Sequence, residues 1–92
     1  MATVRAEATV ANKYGLHARP AMQFVELANK FASKIEVSNG TLTVDAKSIM
    51  SVMRLAATKG TVLTINASGE DADQAAKDLV ALVNGGFGEA LE

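Results

Sequence analysis

Residues 13–24 read KYGLHARPAMQF and mark the point where the apolar pattern of this chain changes its period. Before this stretch, from Thr3 to Val10, apolar and polar residues alternate, which predicts a half-buried strand. After it, from Pro20 to Phe31, apolar residues recur every three or four positions, which predicts an amphipathic helix. Pro20 suits a first helical turn, because an N–H there would have no partner. We therefore expect the helix to begin between His17 and Pro20, with His17 near the N-cap.

The segment KIEVSNGTLTVDA, residues 34–46, predicts a β-hairpin. Asn39-Gly40 favours a two-residue turn, because both central positions of such a turn have positive φ. A turn centred there would pair Val37 with Leu42 and would place the apolar residues of both strands on one face.

Three more elements are expected in the second half of the chain. Residues 46–60, AKSIMSVMRLAATKG, predict a short helix capped by Ser48. Residues 61–69, TVLTINASG, predict a strand, and residues 70–86 predict a helix with acidic residues at its N-terminus.

The order β-α-β-β-α-β-α, with one apolar face per element, predicts an α+β fold in two layers, with all helices on one side of one sheet. We expect a single domain, residues 1–92, with about 86–92 as a loosely attached tail.

The composition narrows the class of function. The 92 residues carry a net charge of −1, which favours neither nucleic-acid binding nor adsorption to a membrane surface. The absence of cysteine excludes disulfide frameworks and thiolate metal sites. No apolar run approaches the roughly 20 residues of a membrane-spanning helix. We expect a cytoplasmic monomer that needs no metal or cofactor.

His17 is the only histidine, and it precedes a helix start. The N–H groups of Ala18 and Arg19 and the helix dipole make this position suitable for an anion. The Arg19 side chain adds a planar, charged group that matches phosphate oxygens. Because the dipole disfavours a proton on the ring, we expect His17 to be largely neutral near pH 7 and therefore nucleophilic. A phosphoryl group on the ring would be stabilised by the same donors.

Other functions of this position compete with phosphoryl transfer. A lone histidine is usually a surface or structural residue, and the helix start could bind a small anion without covalent chemistry. The fold could also be a regulatory module that binds other proteins while His17 is idle. A metal site is disfavoured, because the chain has one histidine, no cysteine and no pair of carboxylates near His17. A hydrolytic triad is disfavoured, because no serine and acid lie at a suitable spacing from His17.

Residues 15–21, GLHARPA, resemble the active-site motif of the HPr family, the histidine-containing phosphocarriers of the bacterial phosphoenolpyruvate-dependent phosphotransferase system. The resemblance implies an open-faced β-sandwich with a four-stranded antiparallel sheet. It implies that His17 accepts a phosphoryl group on Nδ1 from enzyme I and donates it to an enzyme IIA domain, with Arg19 binding the phosphoryl oxygens. The protein would then be a carrier rather than an enzyme that turns over a free substrate.

Residues 45–53, DAKSIMSVM, resemble the regulatory-serine region of HPr proteins that an ATP-dependent HPr kinase/phosphorylase modifies. Ser48 would be the modified residue, a role compatible with capping a helix. The neighbouring apolar residues would form the partner surface, which we expect to comprise Ala21, Ile49, Met50 and Met53.

Three features leave the branch of the family open. Tyr14 stands where many sugar-transport members have a small polar residue, and the ending LVNGGFGE resembles the nitrogen-related or regulatory branch. The central segment around Ser48 instead resembles that of kinase-regulated members. Within that segment, Ser51 stands where the regulatory-serine motif often has glycine, a departure that bears on docking of the kinase.

Overall fold

The computed structural model describes residues 2–89. The secondary-structure elements in that range follow the predicted order. They are β1 (Thr3–Thr9), α1 (Ala18–Ala28), β2 (Lys34–Ser38), β3 (Thr43–Asp45), α2 (Ile49–Met53), β4 (Val62–Ser68) and α3 (Ala72–Asn84), followed by a short 3₁₀ helix at Gly86–Gly88.

The four strands form one sheet in the order β1-β4-β2-β3, and every neighbouring pair is antiparallel. Alternate side chains along each strand are buried or, for the first part of β1, partly buried, and α3 packs directly on β1 and β4. The α+β open-faced sandwich, with three α-helices against a four-stranded antiparallel sheet, is therefore confirmed.

The core lies between the sheet and the helices. Phe24 of α1, Ile65 of β4 and Leu79 of α3 each have 1% or less of their surface exposed. Complete burial of side chains of this size contributes roughly 1.5–3 kcal/mol each. This packing fixes the start of α1 relative to the sheet and so positions His17.

The β2–β3 hairpin corrects the predicted register. Val37 pairs with Val44, so the predicted pairing with Leu42 is wrong, and residues 39–42 form a four-residue loop. The Asn39 side-chain oxygen accepts the N–H groups of Thr41 and Leu42 at 2.9 and 2.8 Å, and Asn39 does not have positive φ. A shift of two residues keeps the same side chains on the buried face, so the apolar pattern could not distinguish the two registers.

Helix α1 ends at Ala28, three residues before the predicted end. The Asn29 side chain donates to the Val25 carbonyl at 2.9 Å and to the Lys47 carbonyl at 3.2 Å. These bonds satisfy a carbonyl of the last turn and tie the end of α1 to the loop before α2.

The segment 86–92, which we expected to be loosely attached, lies partly within the described range. Phe87 is 4% exposed and belongs to the core, whereas residues 90–92 lie outside the described residues. Among the helices of residues 2–89, none has both the length and the apolar character needed to cross a membrane.

Candidate functional site

The loop before α1 holds His17 in place through a close backbone contact. Gly15 has φ +67°, and a Cβ on it would lie 2.3 Å from the Ala57 carbonyl oxygen. The Leu16 N–H donates to the same oxygen at 2.8 Å, and the Leu16 side chain is buried. Only glycine combines this backbone conformation with so close an approach. The loop is thereby fixed against the segment that follows α2.

His17 is the N-cap residue of α1, as the sequence predicts. Its backbone is extended (φ −81°, ψ −172°), and its carbonyl accepts the Ala21 N–H at 2.9 Å. The imidazole makes no capping bond and its side chain is 43% exposed. Within residues 2–89 no acceptor binds the N–H groups of Ala18 and Arg19. An accessible ring thus adjoins two unpaired donors.

A carboxylate that the sequence analysis did not single out contacts the ring. Glu89 Oε1 lies 3.0 Å from His17 Nε2. The same oxygen accepts Asn12 Nδ2 at 3.1 Å, and that amide also donates to the Gly15 carbonyl at 2.7 Å. Asn12 is fully buried. The imidazole is therefore held on its Nε2 side by a network that joins the loop before α1 to the segment after α3.

The hydrogen bond from His17 is the largest cause that lowers the pKa of the Glu89 carboxyl below its ordinary value. Loss of water around the carboxyl opposes this lowering. The hydrogen bond from Asn12 and the charges of His17 and Arg19 add to it. The lowered pKa of Glu89 keeps the group ionised, so it acts as a hydrogen-bond acceptor near neutral pH.

The Arg19 side chain is exposed at the same end of α1. In the described part of the chain it has no hydrogen bond or ion pair, so its guanidinium is available to a ligand. Tyr14 is 71% exposed, and its ring is nearly perpendicular to the His17 ring, with an interplanar angle of 87° and 6.4 Å between the ring centroids. Lys13 Nζ lies 5.2 Å from the centre of the Tyr14 ring, which adds a second cation near the site.

Ser48 caps α2, as the sequence predicts. Its side-chain oxygen accepts the Ser51 N–H at 3.3 Å, and its carbonyl accepts the Val52 N–H at 2.9 Å. Ser48 itself is partly exposed. The hydroxyl thus already serves a structural function at a position that solvent reaches.

The four residues expected on the partner surface divide into two groups. Met50 is 81% and Met53 43% exposed, and Ile49 is partly buried against the core. Ala21 has no exposed surface, because it lies on the inner face of α1. The prediction that Ala21 contacts a partner is therefore wrong, whereas its predicted place in the core stripe is confirmed.

A shallow apolar groove lies between α1 and α2, lined by Met22, Val25, Glu26 and Ile49. Met22 is 53% exposed and was missed by the sequence analysis. The signal that could have found it is its position off the buried stripe of α1. In residues 2–89, no group of three or more histidine, cysteine or acidic side chains is arranged to hold a metal ion.

The chain is similar to a described family and to several characterised proteins. Residues 4–85 match the sequence model of the family described as "PTS HPr component phosphorylation site". The phosphocarrier protein HPr of Haemophilus influenzae is 52% identical over 69 residues, which cover 75% of this chain and 81% of that protein. The crystal structure of a phosphocarrier protein HPr from Bacillus anthracis is 43% identical, with a TM-score of 0.85, and covers 90% of this chain and 99% of that one. The structure of an HPr dimer from Thermoanaerobacter tengcongensis is 48% identical, with a TM-score of 0.75, and covers 87% of this chain and 92% of that one.

Proposed function

This chain belongs to the HPr family of phosphocarrier proteins of the phosphotransferase system, and we propose that His17 carries the phosphoryl group between enzyme I and an enzyme IIA domain. In this function the protein is a carrier and does not turn over a free small-molecule substrate, which the names of its relatives support. The observation that supports His17 is its exposed imidazole at the N-cap of α1, beside the unpaired N–H groups of Ala18 and Arg19.

The transfer is a displacement at phosphorus. The lone pair of His17 Nδ1 attacks the phosphoryl group held by enzyme I, and the N–P bond forms as the bond from phosphorus to the donor breaks. The N–H groups of Ala18 and Arg19 and the guanidinium of Arg19 bind the phosphoryl oxygens. Catalysis of such a step depends mainly on positioning and charge. In a second displacement, a nitrogen or oxygen of enzyme IIA attacks the phosphorus. The bond from phosphorus to this acceptor forms as the bond from phosphorus to His17 Nδ1 breaks.

The two partners dock on the same apolar surface. It consists of Met22, Ile49, Met50 and Met53, of which the three methionines are well exposed. Methionine side chains adapt to differently shaped partners, which suits a carrier that must bind a donor and an acceptor in turn. The surface adjoins the first turns of α1, so docking there brings a partner's reactive group to His17.

Ser48 is a second phosphorylation site, used by an ATP-dependent HPr kinase/phosphorylase. A phosphate on an N-cap serine is favoured by the helix dipole, so the fold tolerates the modification. The added charge lies beside Ile49 and Met50 of the docking surface. There it repels an acidic partner and reduces phosphoryl transfer through His17.

Residues 1–92 form one domain that acts in the cytoplasm as a monomer, and its function requires no metal or cofactor. Three of the similar solved structures are dimers, so the monomer proposed for this chain is tested by a direct measurement of mass. Light scattering during size-exclusion chromatography should give the mass of one 9.6 kDa chain across the working concentration range. A mass of twice that value would overturn the monomer.

The experiment that tests the carrier function uses phosphoenolpyruvate and enzyme I, followed by an enzyme IIA domain. Because His17 is the only histidine, any phosphohistidine on this chain, recognised as an acid-labile and alkali-stable phosphate that His17→Gln abolishes, reports on that residue. We expect one phosphate, its loss in His17→Gln, and its transfer to enzyme IIA. No label under conditions that modify a control HPr would reject the carrier. Reversible binding of phosphate without a covalent product would favour an anion site that performs no covalent chemistry. Binding of a partner protein without any phosphate on His17 would favour a regulatory module.

A further inference from the structure

The carboxylate beside His17 is fixed in position by its own contacts. Glu89 Oε1 accepts two N–H donors, His17 Nε2 at 3.0 Å and Asn12 Nδ2 at 3.1 Å. Asn12 is completely buried, and its second bond to the Gly15 carbonyl fixes the amide. The Glu89 N–H donates to the Gly86 carbonyl at 2.9 Å, which holds the backbone of Glu89 in a turn. The carboxylate therefore occupies a defined place before any partner binds.

The position of this carboxylate determines where the imidazole hydrogen resides. An ionised carboxylate only accepts hydrogen bonds, so the ring nitrogen that faces it must carry the hydrogen. That nitrogen is Nε2. Nδ1 has no hydrogen-bond partner within residues 2–89, and in the neutral ring it holds the lone pair.

We propose that Glu89 is a positioning residue that selects the reacting nitrogen of His17, holding the hydrogen on Nε2 and leaving the Nδ1 lone pair available to phosphorus. This inference rests on the proposed function, since it concerns the same transfer. During the step the Nδ1–P bond forms and the bond from phosphorus to the donor breaks, while Nε2 keeps its hydrogen throughout. No proton acceptor is therefore required.

Glu89 also disfavours attack from the other nitrogen. Its negative charge lies 3.0 Å from Nε2, where it would repel an incoming phosphoryl group and occupy its path. The Asn12 and Glu89 side chains lie on the Nε2 side of the ring, so they do not block the approach of a phosphoryl group to Nδ1. A carboxylate that accepts the second ring N–H also fixes the ring plane and makes the opposite nitrogen a better electron donor.

The first measurement is ¹⁵N NMR of the two imidazole nitrogens of His17, recorded at a pH where the ring is neutral. It shows which of the two nitrogens carries the hydrogen. The chain has one histidine, so the spectrum contains a single ring. We expect the Nε2–H form in the wild type and a larger share of the Nδ1–H form in Glu89→Ala. Glu89→Gln should keep the wild-type form, because Asn12 orients the amide oxygen toward both donors. Glu7→Ala removes the same charge from an exposed position on β1 and should change nothing.

The second measurement is the rate of phosphorylation by enzyme I. We expect Glu89→Ala to be slower by about tenfold, as for other residues that orient a histidine through its second nitrogen, with partial recovery in Glu89→Gln. A wild-type rate in Glu89→Ala, or an unchanged hydrogen position, overturns the inference. If the wild type itself takes no phosphate, the proposed function fails, and the NMR result alone then decides whether Glu89 places the hydrogen.

Discussion

Glu89 Oε1 and His17 Nε2 lie 3.0 Å apart although 72 positions separate the two residues in the chain. The contact places the segment after α3 in the site formed at the start of α1. Phe87 anchors this segment by entering the core, and its backbone has a left-handed conformation with φ +58°. The geometry around the imidazole therefore depends on the packing of α3 against β1 and β4 as well as on the loop before α1.

The titration of Glu89 should report on this contact. The His17 hydrogen bond is the largest cause that lowers the Glu89 pKa, so His17→Ala should raise that pKa toward its ordinary value. Because the folded-state pKa is depressed, the contact stabilises the protein at pH values above the unfolded-state pKa. That stability is lost as the pH falls through the folded-state pKa. Carboxyl ¹³C NMR gives the value directly, with Asp71 as the control that should not move. An unchanged Glu89 titration would contradict the contact.

The positions of His17 and Arg19 could be predicted because their signals are local. Pro20 and the change of apolar period identify a helix start, and the groups beside it are neighbours in the sequence. Glu89 could not be predicted, because its contact depends on how α3 and the turn after it pack. Local patterns contain no information on such a distance.

The hairpin illustrates a second limit. Alternation of apolar residues determines which side chains of β2 and β3 face the core, and that prediction is confirmed for Val37 and Val44. It does not distinguish registers that differ by two residues. The side chain of Asn39 decides between them by binding the loop N–H groups and the Leu55 carbonyl, and such a choice requires the three-dimensional structure.

Gly15→Ala should destabilise the protein and slow phosphoryl transfer. The left-handed conformation alone costs an alanine about 1–2 kcal/mol. A Cβ 2.3 Å from the Ala57 oxygen adds a clash with backbone, which must move the loop that carries His17. Gly40→Ala is the matched control, because Gly40 also has positive φ but no atom within 4 Å of a Cβ. Urea unfolding should show a larger loss of stability in Gly15→Ala than in Gly40→Ala. The rate of phosphoryl transfer should fall in Gly15→Ala only. Equal effects in both variants would contradict the close contact.

Asp71→Asn should lower the melting temperature. The Asp71 carboxylate accepts the Ser33 hydroxyl and the N–H groups of Ala32 and Ser33, the latter at 2.8 and 2.9 Å. The Ser33 hydroxyl is the largest cause that lowers the Asp71 pKa, followed by the Ala32 N–H. The carboxylate therefore stabilises the fold above its unfolded-state pKa, and this stability is lost as the pH falls through the folded-state pKa.

Thermal unfolding from pH 7 to pH 2 measures the effect of Asp71→Asn. The variant should lose the part of the acid dependence that Asp71 supplies, so its melting temperature should approach that of the wild type at low pH. Asp73→Asn, an exposed acidic position in the first turn of α3, is the control. A constant difference between wild type and Asp71→Asn at all pH values would show that the ionised carboxylate is not responsible.

Replacements of Ser48 should separate its capping role from its regulatory one. Ser48→Ala removes the acceptor of the Ser51 N–H and should reduce the free energy of unfolding by about 0.5–2 kcal/mol, with little effect on transfer. Ser48→Asp keeps an N-cap acceptor and adds a charge beside Met50, so it should stay folded and transfer more slowly to enzyme IIA. The two measurements are chemical unfolding and transfer rate. A Ser48→Asp protein with wild-type transfer would argue against regulation by charge at this position.

Arg19 should contribute to transfer and not to stability, because its side chain is exposed and has no hydrogen bond or ion pair among residues 2–89. We expect Arg19→Ala to retain the melting temperature and to accept phosphate from enzyme I several-fold more slowly. Arg19→Lys should recover only part of the rate, because an ammonium keeps the charge but cannot bind two phosphoryl oxygens in one plane. Arg5→Ala, which removes the same charge from an exposed position on β1, should transfer at the wild-type rate. Equal slowing in the Arg5 and Arg19 variants would mean that net charge guides partner encounter, whereas slowing in Arg19→Ala alone places the guanidinium on the phosphoryl group.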